Sequence, residues 1–164
     1  MWLSILVRNL LKGPSTEPFP FAEATTPSKY RGRVEFDASR CSGCQTCQYV
    51  CAAGAIHFDE TAEGMRFTLW HNSCVFCGMC EQNCMSHAIH LSNDWHLAHP
   101  QEQKYQLVEQ GTVPYQACRE CGQRMLPAPL PLMQKAFRGD SPQIQALRQL
   151  CPICRQSVSA GGKR

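Results

Sequence analysis

Cys41-Ser42-Gly43-Cys44-Gln45-Thr46-Cys47-Gln48-Tyr49-Val50-Cys51 is answered farther along the chain by Cys74-Val75-Phe76-Cys77-Gly78-Met79-Cys80-Glu81-Gln82-Asn83-Cys84. In both stretches two residues separate each of the first three cysteines, and a fourth follows after three more. The shift that lays Cys41 on Cys74 also superposes Ala55-Ile56-His57 on Ala88-Ile89-His90. A helical solenoid can have such a period, but two copies are too few for one, and cysteine spacing rather than helical periodicity dominates each copy. A soft anionic thiolate suits cluster iron. Cys-x2-Cys-x2-Cys wraps three thiolates around one iron-sulfur cube, and the fourth ligand cannot come from the same tight loop. One motif alone could be a zinc knuckle; two in phase favour two 4Fe-4S clusters.

Around the motifs the residues read as strand, cysteine loop, short helix, strand in each half. Val34 to Phe36 and Phe67 to Trp70 lead in, and Ile56 to Phe58 and Ile89 to Leu91 lead out. Gly43, Gly54 and Gly78, with Ala52, Ala53 and Ala55, leave room for cubes and for backbone N–H groups to face cluster sulfur, which tunes potential. Trp70 beside His71 suits either a shield over the second cluster or an ordinary packed strand end. The six histidines read as surface residues, because complete thiolate sets are at hand.

Farther out, Trp2 to Leu11 forms a short apolar helix, too short for the roughly 20 residues that span a bilayer. It is either an amphipathic foot on a membrane or membrane subunit, the reading favoured by Trp2 and the cations at its end, or a helix packed on its own domain. Pro14, Pro18, Pro20 and Pro27 make residues 13–33 an extended strap. After Ser92, a helix is expected from Gln101 to Gln110, ended by Gly111. Leu126 to Pro131 reads as a stiff connector, and Ser141-Pro142 as the start of a helix through Leu150. Cys118-x2-Cys121 and Cys151-x2-Cys154 could close one tetrahedral four-thiolate site, structural because no position stays open. Zinc is the favoured ion; a single iron as in rubredoxin, a further cluster, or an empty redox-sensitive site are the alternatives.

Composition narrows the function classes. Of 164 residues, 43% are hydrophobic, and that share includes 12 cysteines better spent on metal than on packing, so the core is thin and needs crosslinks. Sixteen Lys and Arg against thirteen Asp and Glu give +3 with no long run of either sign, which argues against a nucleic-acid groove. A secreted disulfide framework is disfavoured: the first residues lack a basic leader and cleavage site, and the cysteines fall in tight groups. No nucleophile-base pair, phosphate loop or paired-carboxylate signature suggests a catalytic site or small-molecule substrate.

Residues 34 to 91 resemble the 8Fe ferredoxin family. In such two-cluster proteins the fourth cysteine of each motif crosses to the other cube. The resemblance therefore implies one cluster on Cys41, Cys44, Cys47 and Cys84 and another on Cys74, Cys77, Cys80 and Cys51. The family usually places proline after the fourth cysteine; this chain has Ala52 and Met85, which leaves the ligands intact but changes loop rigidity, shielding and potential.

The wider arrangement, with its N-terminal helix, a strap ending in Tyr30-Arg31-Gly32-Arg33, two motifs and a cysteine-bearing tail, resembles the polyferredoxin-like subunit of formate hydrogenlyase and related membrane-bound group 4 NiFe hydrogenases. That subunit is itself similar to the 8Fe subunit of respiratory complex I. The resemblance implies an electron relay from a formate dehydrogenase module or ferredoxin to the hydrogenase small and large subunits. It also implies membrane subunits met through the N-terminal helix, and a cytoplasmic place, peripheral on the inner face of the cell membrane. The expected fold is α+β: a helix and docking strap (1–33), a ferredoxin-like two-cluster core with pseudo-two-fold repeat (34–92), a helical linker (93–117) and a zinc-ribbon-like tail (118–164). A complex-I-like NADH-quinone oxidoreductase subunit, a free soluble 8Fe ferredoxin and an all-zinc interaction module compete with this reading.

Overall fold

The sequence repeat dictates how the strands pair. The strand before each motif pairs with the strand after the other motif: β1 (Val34–Phe36) runs antiparallel to β4 (Ile89–Leu91), and β2 (Ile56–Glu60) to β3 (Gly64–Trp70). Val34 faces Leu91 and Phe36 faces Ile89; at the repeat-related positions, Phe67 faces Phe58 and Leu69 faces Ile56. Since strand side chains alternate between faces, this register buries Val34, Ile56, Phe58, Phe67, Leu69 and Ile89 on one side. Phe67 lies at the centre, stacked on Phe36 with ring centroids 4.0 Å apart and edge-on to Phe58 at 5.4 Å. The opposite side leaves His57 and His90 exposed, paired with Asp59 at 3.1 Å and Glu35 at 3.0 Å.

The computed structural model describes residues 2–13, 16, 19, 21–139 and 141–161. Two compact units emerge, Met1–Tyr30 and Arg31–Arg164. In the first, α1 (Trp2–Lys12) has no buried residue, and it stops at Gly13, whose N–H bonds to the Asn9 carbonyl with φ +78°. Of the strap prolines, Pro14, Pro18 and Pro20 lie outside the described residues. Among the described residues no helix is long and apolar enough to cross a membrane.

In the second unit the cysteine loops carry α2 (Thr46–Tyr49) and α3 (Met79–Gln82). Their turns repeat down to the sign of φ: left-handed backbone occurs at Gly43 and Phe76, at Gln45 and Gly78, and at Gly54 and His87, each pair related by the sequence repeat. Glycine adopts this region freely and other residues at a cost.

Two expectations are corrected. Gln101 to Gln110 is not a helix: a single 3-10 turn (Gln101–Gln103) leads into β5 (Val108–Pro114), which adds to the free edge of β3. The unpaired edge of β3 outcompetes a weakly apolar helix. Gly111 allows that approach, because a Cβ there would stand 2.7 Å from the Phe36 ring. The connector at Leu126–Pro131 is likewise shorter than expected, since α4 (Leu130–Phe137) starts inside it with Pro131 in its first turn, where proline needs no N–H partner. The tail also holds a hairpin of β6 (Gln116–Ala117) and β7 (Arg124–Met125), then α5 (Pro142–Arg148) and α6 (Pro152–Ser159).

Candidate metal centres

None of the twelve cysteines is joined in a disulfide. In the core, the turn at Gly43 points its N–H at Cys41 Sγ (3.3 Å), and Phe76 does the same for Cys74 (3.4 Å). Ala55 donates to Cys51 Sγ at 3.3 Å and Ala88 to Cys84 Sγ at 3.2 Å. Four sulfurs are thus met by backbone donors in two repeat-related pairs, the arrangement that stabilises an anionic, metal-bound sulfur. Gln48 and Glu81 complete the symmetry from α2 and α3. Their side-chain oxygens accept the N–H of Phe58 (2.9 Å) and Leu91 (3.3 Å), tying each short helix to the strand behind it.

The thiols sort into two electrostatic neighbourhoods. Burial pushes Cys47 up to about 12, helped by Cys41, Cys44 and Cys84, and pushes Cys41 up to about 11, helped by Cys44 and Cys84 against the opposing Gly43 N–H. Burial likewise pushes Cys80 up to about 11 and raises Cys74; the neighbours that add to it are Cys51 and Cys77, together with Cys74 in the case of Cys80. Cys44 moves the other way: burial raises it, but hydrogen bonds led by the Thr46 hydroxyl outweigh that. Each neighbourhood joins three cysteines of one motif to the fourth of the other. Crowded, half-buried thiols resist losing their protons until a cation compensates them.

Cys51, Cys74, Cys77 and Cys80 line one opening, otherwise walled by apolar groups such as Val34, Ile56 and Leu69. The loop of the first motif is covered instead by the tail: a Cβ on Gly43 would overlap Leu126 Cδ1 and stand 3.4 Å from Met65 Sδ. The residues suit a cluster in both places, and the second has an opening beside its thiols.

In the tail, the hairpin β6–β7 turns through Cys118 and Cys121, and Cys151 caps α6 with Cys154 one turn in. The second pair thus sits at a helix start rather than on a second hairpin. All four sulfurs lie within 4.8 Å of one another, with Cys121 and Cys151 at 3.7 Å. A tetrahedral ion with metal-sulfur bonds of about 2.3 Å needs sulfurs about 3.8 Å apart. N–H groups of Cys121 and Cys151 hold the Cys118 thiol below its ordinary range, while contacts with the other thiols, Cys151 first, push Cys154 up. The same donor set accepts zinc or a single iron.

One residue departs from the surface reading of the histidines. His71 is 3% exposed, and neither ring nitrogen has a hydrogen-bond partner. Burial, then the positive charge of Arg33, lowers its pKa and keeps it neutral. Its position at the end of β3, where its N–H bonds to the Leu107 carbonyl leading into β5, accounts for the burial. Without an expected β5, nothing in the sequence signals it.

Comparison with known proteins agrees with the core. Residues 40–89 match the family described as 4Fe-4S dicluster domain. NAD(P)H-quinone oxidoreductase subunit I of Gloeobacter violaceus is 21% identical over 103 residues, covering 58% of this chain and 49% of the relative. NADH-quinone oxidoreductase subunit I 2 of Geobacter metallireducens is 23% identical over 118 residues, 66% of this chain and 90% of the relative. A chain in the structure of the membrane-bound sulfane sulfur reductase, an archaeal respiratory membrane complex, superposes with a TM-score of 0.50 at 25% identity, covering 63% of this chain and 57% of that one. Residues 40–89 are thus similar to a 4Fe-4S dicluster domain and the chain to subunit I, of which it spans about half the length in the Gloeobacter relative.

Proposed function

We propose that this chain is an electron-relay subunit of a membrane-associated oxidoreductase complex. In this reading Cys41, Cys44, Cys47 and Cys84 hold one 4Fe-4S cluster, Cys74, Cys77, Cys80 and Cys51 hold the other, and Cys118, Cys121, Cys151 and Cys154 close on a structural zinc ion. The observation that carries it is the sorting of the eight core thiols into two neighbourhoods, each completed by the fourth cysteine of the opposite motif. Bound there, each cluster would accept and release one electron. The protein's own part is to fix the thiolates, direct the N–H groups of Gly43, Phe76, Ala55 and Ala88 at sulfur, and exclude water with Val34, Ile56, Leu69 and Leu126. The sulfur spacing in the tail fits zinc, and a closed thiolate set suits holding structure rather than catalysis.

As to the complex, the proposal is a formate hydrogenlyase or another group 4 NiFe hydrogenase, with the chain passing electrons to the hydrogenase module from the cytoplasmic side. The exposed apolar residues of α1, among them Trp2, Leu3, Leu6 and Leu10, support a role for that helix against membrane subunits. A quinone-reducing complex is the second reading, favoured by the match over 90% of the Geobacter subunit I.

Metal and sulfide analysis of the anaerobically purified chain tests the site, with electron paramagnetic resonance after dithionite reduction. About eight irons, eight sulfides and one zinc, with signals of two interacting reduced cubes, are expected. Four or fewer irons, with zinc making up the difference, would overturn the relay. Purification of the native complex tests the partner: nickel and hydrogen evolution support the hydrogenase, while quinone reduction without nickel supports the second reading.

A further inference from the structure

The repeat gives the two cluster sites matching N–H donors at their first and fourth sulfurs, so a charge that breaks the symmetry stands out. N–H groups meet the first sulfur of each motif at 3.3 and 3.4 Å and the fourth at 3.3 and 3.2 Å. At the exposed outer loop of the second motif, however, Arg31 adds a full positive charge. Its Nη1 donates to the Cys77 carbonyl at 3.0 Å, and its guanidinium lies along the next residue, where a Cβ on Gly78 would stand 3.9 Å from Nε and 4.0 Å from Cζ. The repeat-equivalent loop, at Cys44 and Gln45, meets a neutral group instead: the Gln45 side-chain amide contacts Met65 Sδ at 3.7 Å.

The backbone beside Arg31 is fixed. Gly32 N–H bonds to the Ser92 carbonyl at 2.8 Å and Arg33 N–H to the Asp94 carbonyl at 2.6 Å. A Cβ on Gly32 would overlap the Asp94 carbonyl oxygen, so glycine alone permits this approach. The guanidinium is therefore launched from an anchored point, although the side chain itself is exposed.

We propose that Arg31 is a positioning residue that tunes the reduction potential of the second-motif cluster alone. The inference rests on the two-cluster reading above. Reduction adds one negative charge to the cluster, and a nearby cation favours the reduced state, so Arg31 raises that potential. Arg40 beside Cys41, with Asp37 near it, and Glu81 on α3 are further charges close to the motifs. They are the same in wild type and in an Arg31 variant, and drop out of the comparison.

The test is a redox titration of the full-length, cluster-loaded protein, followed by electron paramagnetic resonance, for wild type, Arg31→Gln and Arg31→Lys. The signal of the second motif is identified as the one altered by Cys77→Ser. Arg31→Gln keeps a donor for the Cys77 carbonyl but loses the charge. It is expected to lower the reduced-to-oxidised ratio of that cluster two- to fivefold at fixed potential, about 20 to 40 mV at 59 mV per tenfold for one electron. Arg31→Lys retains most of the wild-type potential, and the gap between wild type and Arg31→Gln narrows from low to high salt, because an exposed charge is screened. A purely structural role for Arg31 would give no such salt dependence. Unchanged potentials in Arg31→Gln, or equal shifts in both clusters, would overturn the proposal with the two-cluster reading intact. Wild-type protein with fewer than two clusters would instead overturn the reading itself.

Discussion

Replacing Gly43 by alanine puts a methyl group where Leu126 Cδ1 already stands, with Leu126 Cγ and Met65 Sδ each 3.4 Å away. At φ +69° the left-handed backbone alone costs alanine about 1–2 kcal/mol, offset by about 0.5–1 kcal/mol because glycine loses more entropy on folding. Gly54, at φ +59° with open space around it, bears only these two contributions. Gly43→Ala also displaces Leu126 from its place against the core, an overpacking cost of about 1–3 kcal/mol. Gly43→Ala should therefore be worse than Gly54→Ala by about 2 kcal/mol. Leu126→Ala removes the obstacle, so the double variant Gly43→Ala/Leu126→Ala should recover most of that difference through a favourable coupling. Because unfolding with cofactor loss is irreversible, the useful measure is a rate: anaerobic bleaching of the visible iron-sulfur absorption at one fixed temperature. A difference of about 2 kcal/mol corresponds to at most about 30-fold in that rate. Equal bleaching of the two glycine variants, or strict additivity in the double variant, would refute the contact between the tail and the first cysteine loop.

Phe67 is fully buried between Phe36 and Phe58, and Phe67→Ala should cost about 3–5 kcal/mol. Thermal unfolding of the loaded protein under argon should then begin on the order of 10 °C lower, and an unchanged midpoint would show that this ring is not the centre of the core. His87 is exposed in left-handed backbone at φ +53°, so His87→Gly should leave bleaching unchanged or slow it by up to about tenfold. Faster bleaching would mean that the imidazole contributes a contact worth more than the strain it bears.

The strand positions were readable because one repeat carries both the cysteine spacing and the strand residues: once Cys41 maps onto Cys74, Val34 maps onto Phe67 and Ile56 onto Ile89. The tail cysteines were readable from spacing, and the sulfurs do converge. Non-local pairing was not readable. Residues 101–110 lack a strong period of either kind, and the free edge of β3, which decides their fate, belongs to a segment far earlier in the chain. The burial of His71 follows from that same strand and was hidden with it. The cover of Leu126 over Gly43 was hidden for a similar reason: its residue looks like part of a proline-rich connector, and only the folded hairpin brings it to the loop. Nor does the motif announce Arg31, which precedes Cys41 in the chain yet lies on the loop of Cys77.

The left-handed turns explain why the core should depend on its cofactors. Three of the six repeat-related positions are Gln45, Phe76 and His87 rather than glycine, at about 1–2 kcal/mol of strain each, a sizeable fraction of the roughly 5–15 kcal/mol that stabilises a folded protein. The turn at Phe76 directs its N–H onto Cys74 Sγ, as the turn at Gly43 does for Cys41. With a protonated thiol as acceptor such a bond is weak; with a metal-bound thiolate it becomes charge-assisted and much stronger. A bound cation would also compensate the charge of Cys41, Cys47 and Cys80, which burial, with the neighbouring thiols adding to it, pushes up to about 11 to 12. Cluster binding would offset both the strain of these turns and the burial of the thiols. Folding of the two-motif core and loading of its thiolates are on this account one thermodynamic event, with β5 and the tail holding the outside of a core whose inside is completed by iron.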